Sequence, residues 1–108
     1  MTIAAALVLS TLPPYRRALA DRVLNMLSSC RFGAAGFFQR DMSLINVQYE
    51  GQRDGGMHIV NGWVSLGHRT ENFQCVFGSN SMDIIQFFAY GKPQPGVGGG
   101  SVSDRSRK

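Results

Sequence analysis

Charge is in short supply: Asp, Glu, Lys and Arg make up only 17% of the 108 residues, against 44% hydrophobic residues. A chain this rich in core material folds, and its length supplies one hydrophobic core rather than two. A multidomain enzyme is excluded. The 11 Lys+Arg outnumber the 7 Asp+Glu, giving a formal net charge of +4, but the bases are not gathered. Arg105, Arg107 and Lys108 close the chain, Arg16 and Arg17 form a separate pair, and residues 15–92 hold eight bases against six acids. A nucleic-acid surface needs bases collected on one face, so no nucleic-acid partner is expected.

Long apolar runs are missing too. The longest, Ile3 to Leu12, has ten residues, whereas a membrane-spanning helix requires about 20, so no span is expected. Ten residues do match the hydrophobic part of a signal peptide, and Ala18-Leu19-Ala20 before Asp21 has the small-x-small form of a cleavage site. No basic residue precedes Ile3, however, and Arg16-Arg17 follows the run, the reverse of a signal peptide's charge order. Residues 1–14 are read as an apolar N-terminal segment: a signal-peptide remnant, a helix or an edge strand. A periplasmic or secreted location is favoured, with a cytoplasmic one as the alternative.

Cysteine and histidine are scarce, at two each. His58 and His68 are ten residues apart on one predicted strand and its turn, about 30 Å in extended chain, too far to share a metal. No spacing resembles a zinc site, and neither a metal nor a cofactor is expected. Gly96-Val-Gly-Gly-Gly100 does not lead from a strand into a helix, so it is linker and not a phosphate loop. Asp21, Asp41, Glu50, Asp54, Glu71 and Asp83 fall mostly at element ends and turns, where acids are solvated or cap. No catalytic residue is assigned. A thiol enzyme using Cys75 with His58 or His68 stays as an alternative, requiring the pair to approach within about 3 Å.

What is present is periodicity. Pro13-Pro14 ends the preceding segment and starts a helix, because proline at the first helical position loses no hydrogen bond. Leu19, Val23, Met26, Leu27 and Cys30 form one apolar stripe, with Arg17, Asp21, Arg22, Asn25 and Ser28 opposite. Gly33 and Gly36 are expected to end the helix, leaving Phe32, Phe37 and Phe38 in a connecting loop over the core edge. From Met42 the period becomes two. Runs at Ser43–Glu50, Met57–Leu66, Glu71–Phe77 and Met82–Tyr90 are separated by short Gly-, Asn-, Asp- and Ser-containing stretches, the chemistry of turns. Such short connections dictate antiparallel pairing.

The expected fold is α+β: one amphipathic helix packed on a four-stranded antiparallel β-meander. The domain covers residues 15–91, and residues 92–108 form a disordered Gly/Ser/basic tail. A His68-Arg69 turn sets Gly62 opposite Cys75, Val64 opposite Phe73 and Val60 opposite Phe77, and the first loop sets Val47 opposite Val60 and Ile45 opposite Gly62. The last strand has two registers. One turns Ile85, Phe87 and Ala89 inward; the other turns Met82, Ile84, Phe88 and Tyr90 inward.

Cys30 closes the helix stripe and Cys75 points from the third strand toward the same core. Two readings remain open: a Cys30–Cys75 disulfide, which an exported protein favours, or two buried free thiols acting as small hydrophobes. The face turned away from the helix carries Asn46, Gln48, Asn61, Trp63, Asn72 and Gln74, along with Leu44, Ile59 and Val76, and Gln86 in one of the two registers. Amides offer paired donors and acceptors and the indole stacks, so this face suits a protein partner or a neutral polar ligand such as a sugar or an extended peptide. A half-solvated sheet face and a self-associating one are the plainer readings. A cytosolic oligomer using residues 1–12 as its interface is a further alternative.

Helix, then Val60–Gly67, then Asn72–Phe77, then the Ile84–Phe88 strand resembles small exported bacterial helix-plus-meander domains of unknown function. Their Gly-x-Val and Phe-x-Cys-x-Phe core is matched by Gly62, Val64, Phe73, Cys75 and Phe77. The resemblance implies an envelope location and no particular chemistry; a PepSY-like inhibitory module is similar only by analogy.

Overall fold

The structure, a computed structural model, describes residues 14–97. The apolar N-terminal run and the proposed interface at residues 1–12 lie outside the described residues, as do residues 98–108 of the tail.

Helix α1, Pro14–Phe38, begins where the diproline predicts. Met26 and Cys30 are buried and Val23 and Leu27 half-buried, as the stripe requires. Leu19 is not: at 46% exposure it stands clear of the core, so packing starts one turn later, at Val23. The helix also does not stop at Gly33 or Gly36. It runs through both, so Phe32, Phe37 and Phe38 are helical rather than loop residues, and Ala34 and Phe38 extend the buried stripe. Gly33 serves close packing, since a Cβ there would sit 3.2 Å from Val97 Cγ1 and 3.5 Å from Ile84 Cδ1. The stop comes from Gln39, whose φ of 56° lets the Arg40 N–H donate to the Ala35 carbonyl at 3.1 Å. This is the bond that closes a Schellman cap, made here without the usual glycine.

A 3₁₀ turn at Met42–Leu44 leads into the sheet. Its cap is the Asp41 carboxylate, which accepts from the Ser43 N–H at 2.9 Å. Hydrogen bonds from the Ser43 side chain and backbone hold the Asp41 carboxyl below the ordinary carboxylate range.

Strands β1 (Ile45–Gln52), β2 (His58–Ser65), β3 (Thr70–Phe77), β4 (Ile84–Ala89) and β5 (Lys92–Pro93) pair antiparallel in sequence order. The class is the α+β meander expected, with one strand more. Lys92 and Pro93 pair with Ala89 and Phe88, and the Gln94 N–H donates to the Phe87 carbonyl at 2.7 Å. Ordered chain thus continues past residue 91, into what composition alone assigns to the tail.

The register differs from the expected one by two residues. The Leu66 N–H donates to the Arg69 carbonyl at 2.8 Å, leaving Gly67-His68 as the two connecting residues rather than His68-Arg69. Gly67 takes a φ of 93°, which the first position of a type II′ hairpin turn demands. Moving the turn by one residue moves every pair by two: Val60 faces Cys75, Gly62 faces Phe73 and Val64 faces Glu71. On the other side Ile45 faces Val64 and Val47 faces Gly62, and a bulge after Tyr49 ends the regular ladder. A two-residue shift keeps every side chain on its predicted face. Gly62 does not make room for a sulfur. A Cβ there would overlap the Phe73 ring and lie 2.5 Å from the Asn46 carbonyl oxygen, so the Phe73 ring takes that space.

Strand β4 follows neither proposed register throughout. Phe77 faces Ile84 but Val76 faces Gln86, so Ile85 is an extra residue in the ladder. The bulge turns Ile84, Phe87 and Ala89 inward together and leaves Ile85 exposed.

Between α1 and the sheet the core is closed by a Cys30–Cys75 disulfide with Cα atoms 5.9 Å apart, joining mid-helix to mid-sheet. Phe37, Phe38, Phe73 and Phe87 pack beside it with ring centroids 4.9–5.8 Å apart. Such pairs each add roughly 0.5–1.5 kcal/mol beyond their burial.

Candidate binding face on the open side of the sheet

The side chains that alternate away from this core form cross-strand rows. One row is Asn46–Trp63–Asn72, crossing β1, β2 and β3. The next is Gln48–Asn61–Gln74–Phe88, crossing β1 to β4 and ending against Pro93 of β5. All six residues singled out from the sequence therefore share one face, in two adjacent rows, with opposite Cβ atoms roughly 4.5–5.5 Å apart within a row. No charged residue stands in either row. Each side chain is at least partly exposed, and Trp63, the single tryptophan of the chain, is 41% exposed.

Within the second row Gln74 Nε2 donates to Asn61 Oδ1 at 2.8 Å. This bond fixes both amides and leaves Asn61 Nδ2 and Gln74 Oε1 without a protein partner among the described residues, an adjacent donor and acceptor facing out. A shallow depression of about 370 Å³ lies over them, lined also by Asn72, Phe88 and Gly91. The third row, Ile59–Val76–Gln86, begins with two buried apolar side chains, so the polar band is confined to the first two rows. Leu44, expected on this face, belongs to the 3₁₀ turn before β1.

Phe88 is the member that sequence reasoning did not find. One register turns it inward with Ile84 and the other leaves it outward, and only the bulge buries Ile84 while keeping Phe88 on this face. The adjacent apolar pairs Ile84-Ile85 and Phe87-Phe88 were the available signal: strict alternation over Ile84–Phe88 sets Ile84 and Phe87 on opposite faces, so burying both requires an extra residue.

Elsewhere several titratable groups are engaged in the fold. Cys75 is bonded to Cys30 and fully buried, so in this form it carries no thiol to act as nucleophile. His58 lies on the inner face, where Nδ1 shares a 2.8 Å hydrogen bond with the Tyr49 hydroxyl and the buried Nε2 has no protein partner among the described residues. His68 is exposed in the β2–β3 turn. Arg69 lies 3.6 Å from Glu71 and over the Tyr90 ring. Among the described residues no group of three or more His, Cys, Asp or Glu is placed to hold a metal.

A larger hollow, about 490 Å³, runs between α1 and the chain after β5, lined by Phe32, Gly33, Phe37, Met82, Ile84 and Val97. Among the described residues Ser29 supplies its one side-chain hydroxyl. Walls without convergent polar groups give no orientation to a ligand, and the amide face is the better-defined site despite being shallower.

No protein-family model matches the chain, and neither does any curated protein or solved structure.

Proposed function

We propose that this is a non-enzymatic binding domain, exported to an oxidising compartment, that engages a protein partner or a neutral polar ligand through the open face of its sheet. The observation that carries the reading is the pair of uncharged cross-strand rows around Trp63. They present amide donors and acceptors beside two aromatic rings, on a sheet whose other face is locked to a helix. Amides satisfy hydroxyls and peptide groups without the cost of desolvating a charge, and the indole offers a flat apolar surface for stacking. Export is supported by the Cys30–Cys75 bridge, which persists in oxidising compartments. It is also in keeping with the described residues, none of whose helices is long and apolar enough to cross a membrane.

Because Trp63 is the only tryptophan, its fluorescence reports this face alone. Titration with a panel of neutral oligosaccharides and uncharged polar peptides is expected to give a saturable change for at least one class. Asn72→Asp, which introduces a charge, is expected to weaken that binding at least tenfold while leaving the thermal transition in place. Saturable binding that is insensitive to Asn72→Asp and Gln74→Ala would move the site off this face.

A further inference from the structure

The two edges of the sheet are built differently. The β5 edge has two residues, Lys92 and Pro93, and brevity, lysine and proline are the devices that keep an edge from pairing with another chain. The β1 edge has eight residues, Ile45–Gln52, with no lysine, no proline and a single charge at Glu50. Its bulge comes only after Tyr49, so the strand is regular from Ile45 to Tyr49.

Which backbone groups that edge presents follows from the ladder. The Leu66–Arg69 bond makes the even-numbered residues of β2 the ones whose backbone groups point to β3. Asn61 and Trp63 therefore point theirs to β1, where they meet Gln48 and Asn46. Ile45, Val47 and Tyr49 are left pointing outward. The Ile45 N–H is taken by the Met42 carbonyl. The Ile45 carbonyl, both groups of Val47 and both groups of Tyr49 have no backbone partner among the described residues.

We propose that this edge pairs with the β1 edge of a second copy, antiparallel about a twofold axis at Val47. Val47 of each copy then donates to and accepts from Val47 of the other. This arrangement tolerates the one N–H already spent. On the inner face Val47 meets Val47, and Ile45 meets Tyr49. On the open face Asn46 stands opposite Gln48 of the other copy as a non-hydrogen-bonded pair, Cα atoms about 4.5 Å apart, close enough for amide-to-amide bonds. The two Glu50 side chains fall at opposite ends, about 20 Å apart, so no like charges meet. The second row of one copy then continues as the first row of the other, Phe88–Gln74–Asn61–Gln48 into Asn46–Trp63–Asn72. Two short amide bands become one, of a length suited to an extended polymer or peptide rather than a single residue of one. The pairing stands on backbone geometry alone, and only this last consequence rests on the proposed function.

Sedimentation of the full chain across a concentration series tests it. The expected result is a monomer–dimer equilibrium between 11.8 kDa and twice that mass. Val47→Pro deletes an N–H that points away from β2, and it is expected to raise the dissociation constant at least tenfold with the circular dichroism spectrum retained. Asn46→Lys with Gln48→Lys sets lysine against lysine across the axis and is expected to do the same. Asn46→Lys with Gln48→Glu sets opposite charges there and is expected to restore dimerisation. A mass of 11.8 kDa at every concentration overturns the proposal, as does a dimer indifferent to Val47→Pro. Equal behaviour of the two charge variants overturns the register.

Discussion

The two faces of one sheet are given opposite character by the same alternation. Inward, Val60, Val64, Phe73, Cys75, Phe77 and Phe87 are buried under α1 and stapled to it. Outward, on the very next residues, Asn46, Gln48, Asn61, Trp63, Asn72 and Gln74 keep surface and hydrogen-bonding capacity. The lesson is that stability and the proposed recognition occupy different residues of the same strands, so the two can be damaged separately.

Breaking the inner face should cost most. Phe87→Ala empties a fully buried site among three other phenylalanines and is expected to lower unfolding free energy by about 3–5 kcal/mol in urea titration. Reducing Cys30–Cys75, or replacing both by serine, opens a loop with a sequence separation of 45, and is expected to cost about 3–4 kcal/mol in the chain-entropy model. Gly62→Ala forces the Phe73 ring and the Asn46 carbonyl apart and is expected to cost about 1–3 kcal/mol, the range of overpacked cores.

The outer face should answer in the other register. Gln74→Ala removes the cross-strand bond to Asn61 and is expected to cost no more than about 0.5–1.5 kcal/mol of stability while abolishing most binding in the fluorescence titration. The smallest effect belongs to neither face. The carboxyl of exposed Asp41 is held low by Ser43, so its contribution is present above the unfolded carboxylate range and is lost as pH falls through the lowered folded value. Asp41→Asn is expected to remove that slight acid dependence, read by following the Ser43 amide by NMR against pH.

Much of this contrast was legible in the residues. The helical stripe around Met26 and Cys30, the period-two runs and the short turns give the class, and side-chain parity gives both faces. Parity survived a wrong turn choice, because moving the hairpin from His68-Arg69 to Gly67-His68 shifts pairs by two. What the pattern hid were features that break it. Gly33 reads as a stop but is a contact with Ile84 and Val97, whereas the true stop is Gln39, a residue with no signature for it. The β4 bulge turns Ile84 and Phe87 inward together and leaves Phe88 on the open face, a combination that neither strictly alternating register contains. Strand β5 pairs through Lys92 and Pro93, two residues whose types argue for a loop.

The most direct test of the separation between faces is an amide- and indole-detected NMR titration with whichever oligosaccharide or peptide of the panel quenches Trp63. The account predicts shifts concentrated at Asn46, Gln48, Asn61, Trp63, Asn72 and Gln74, with Phe32, Phe37 and Met82 unmoved. Shifts concentrated at Phe32, Phe37 and Met82 instead would place recognition in the apolar groove and contradict it.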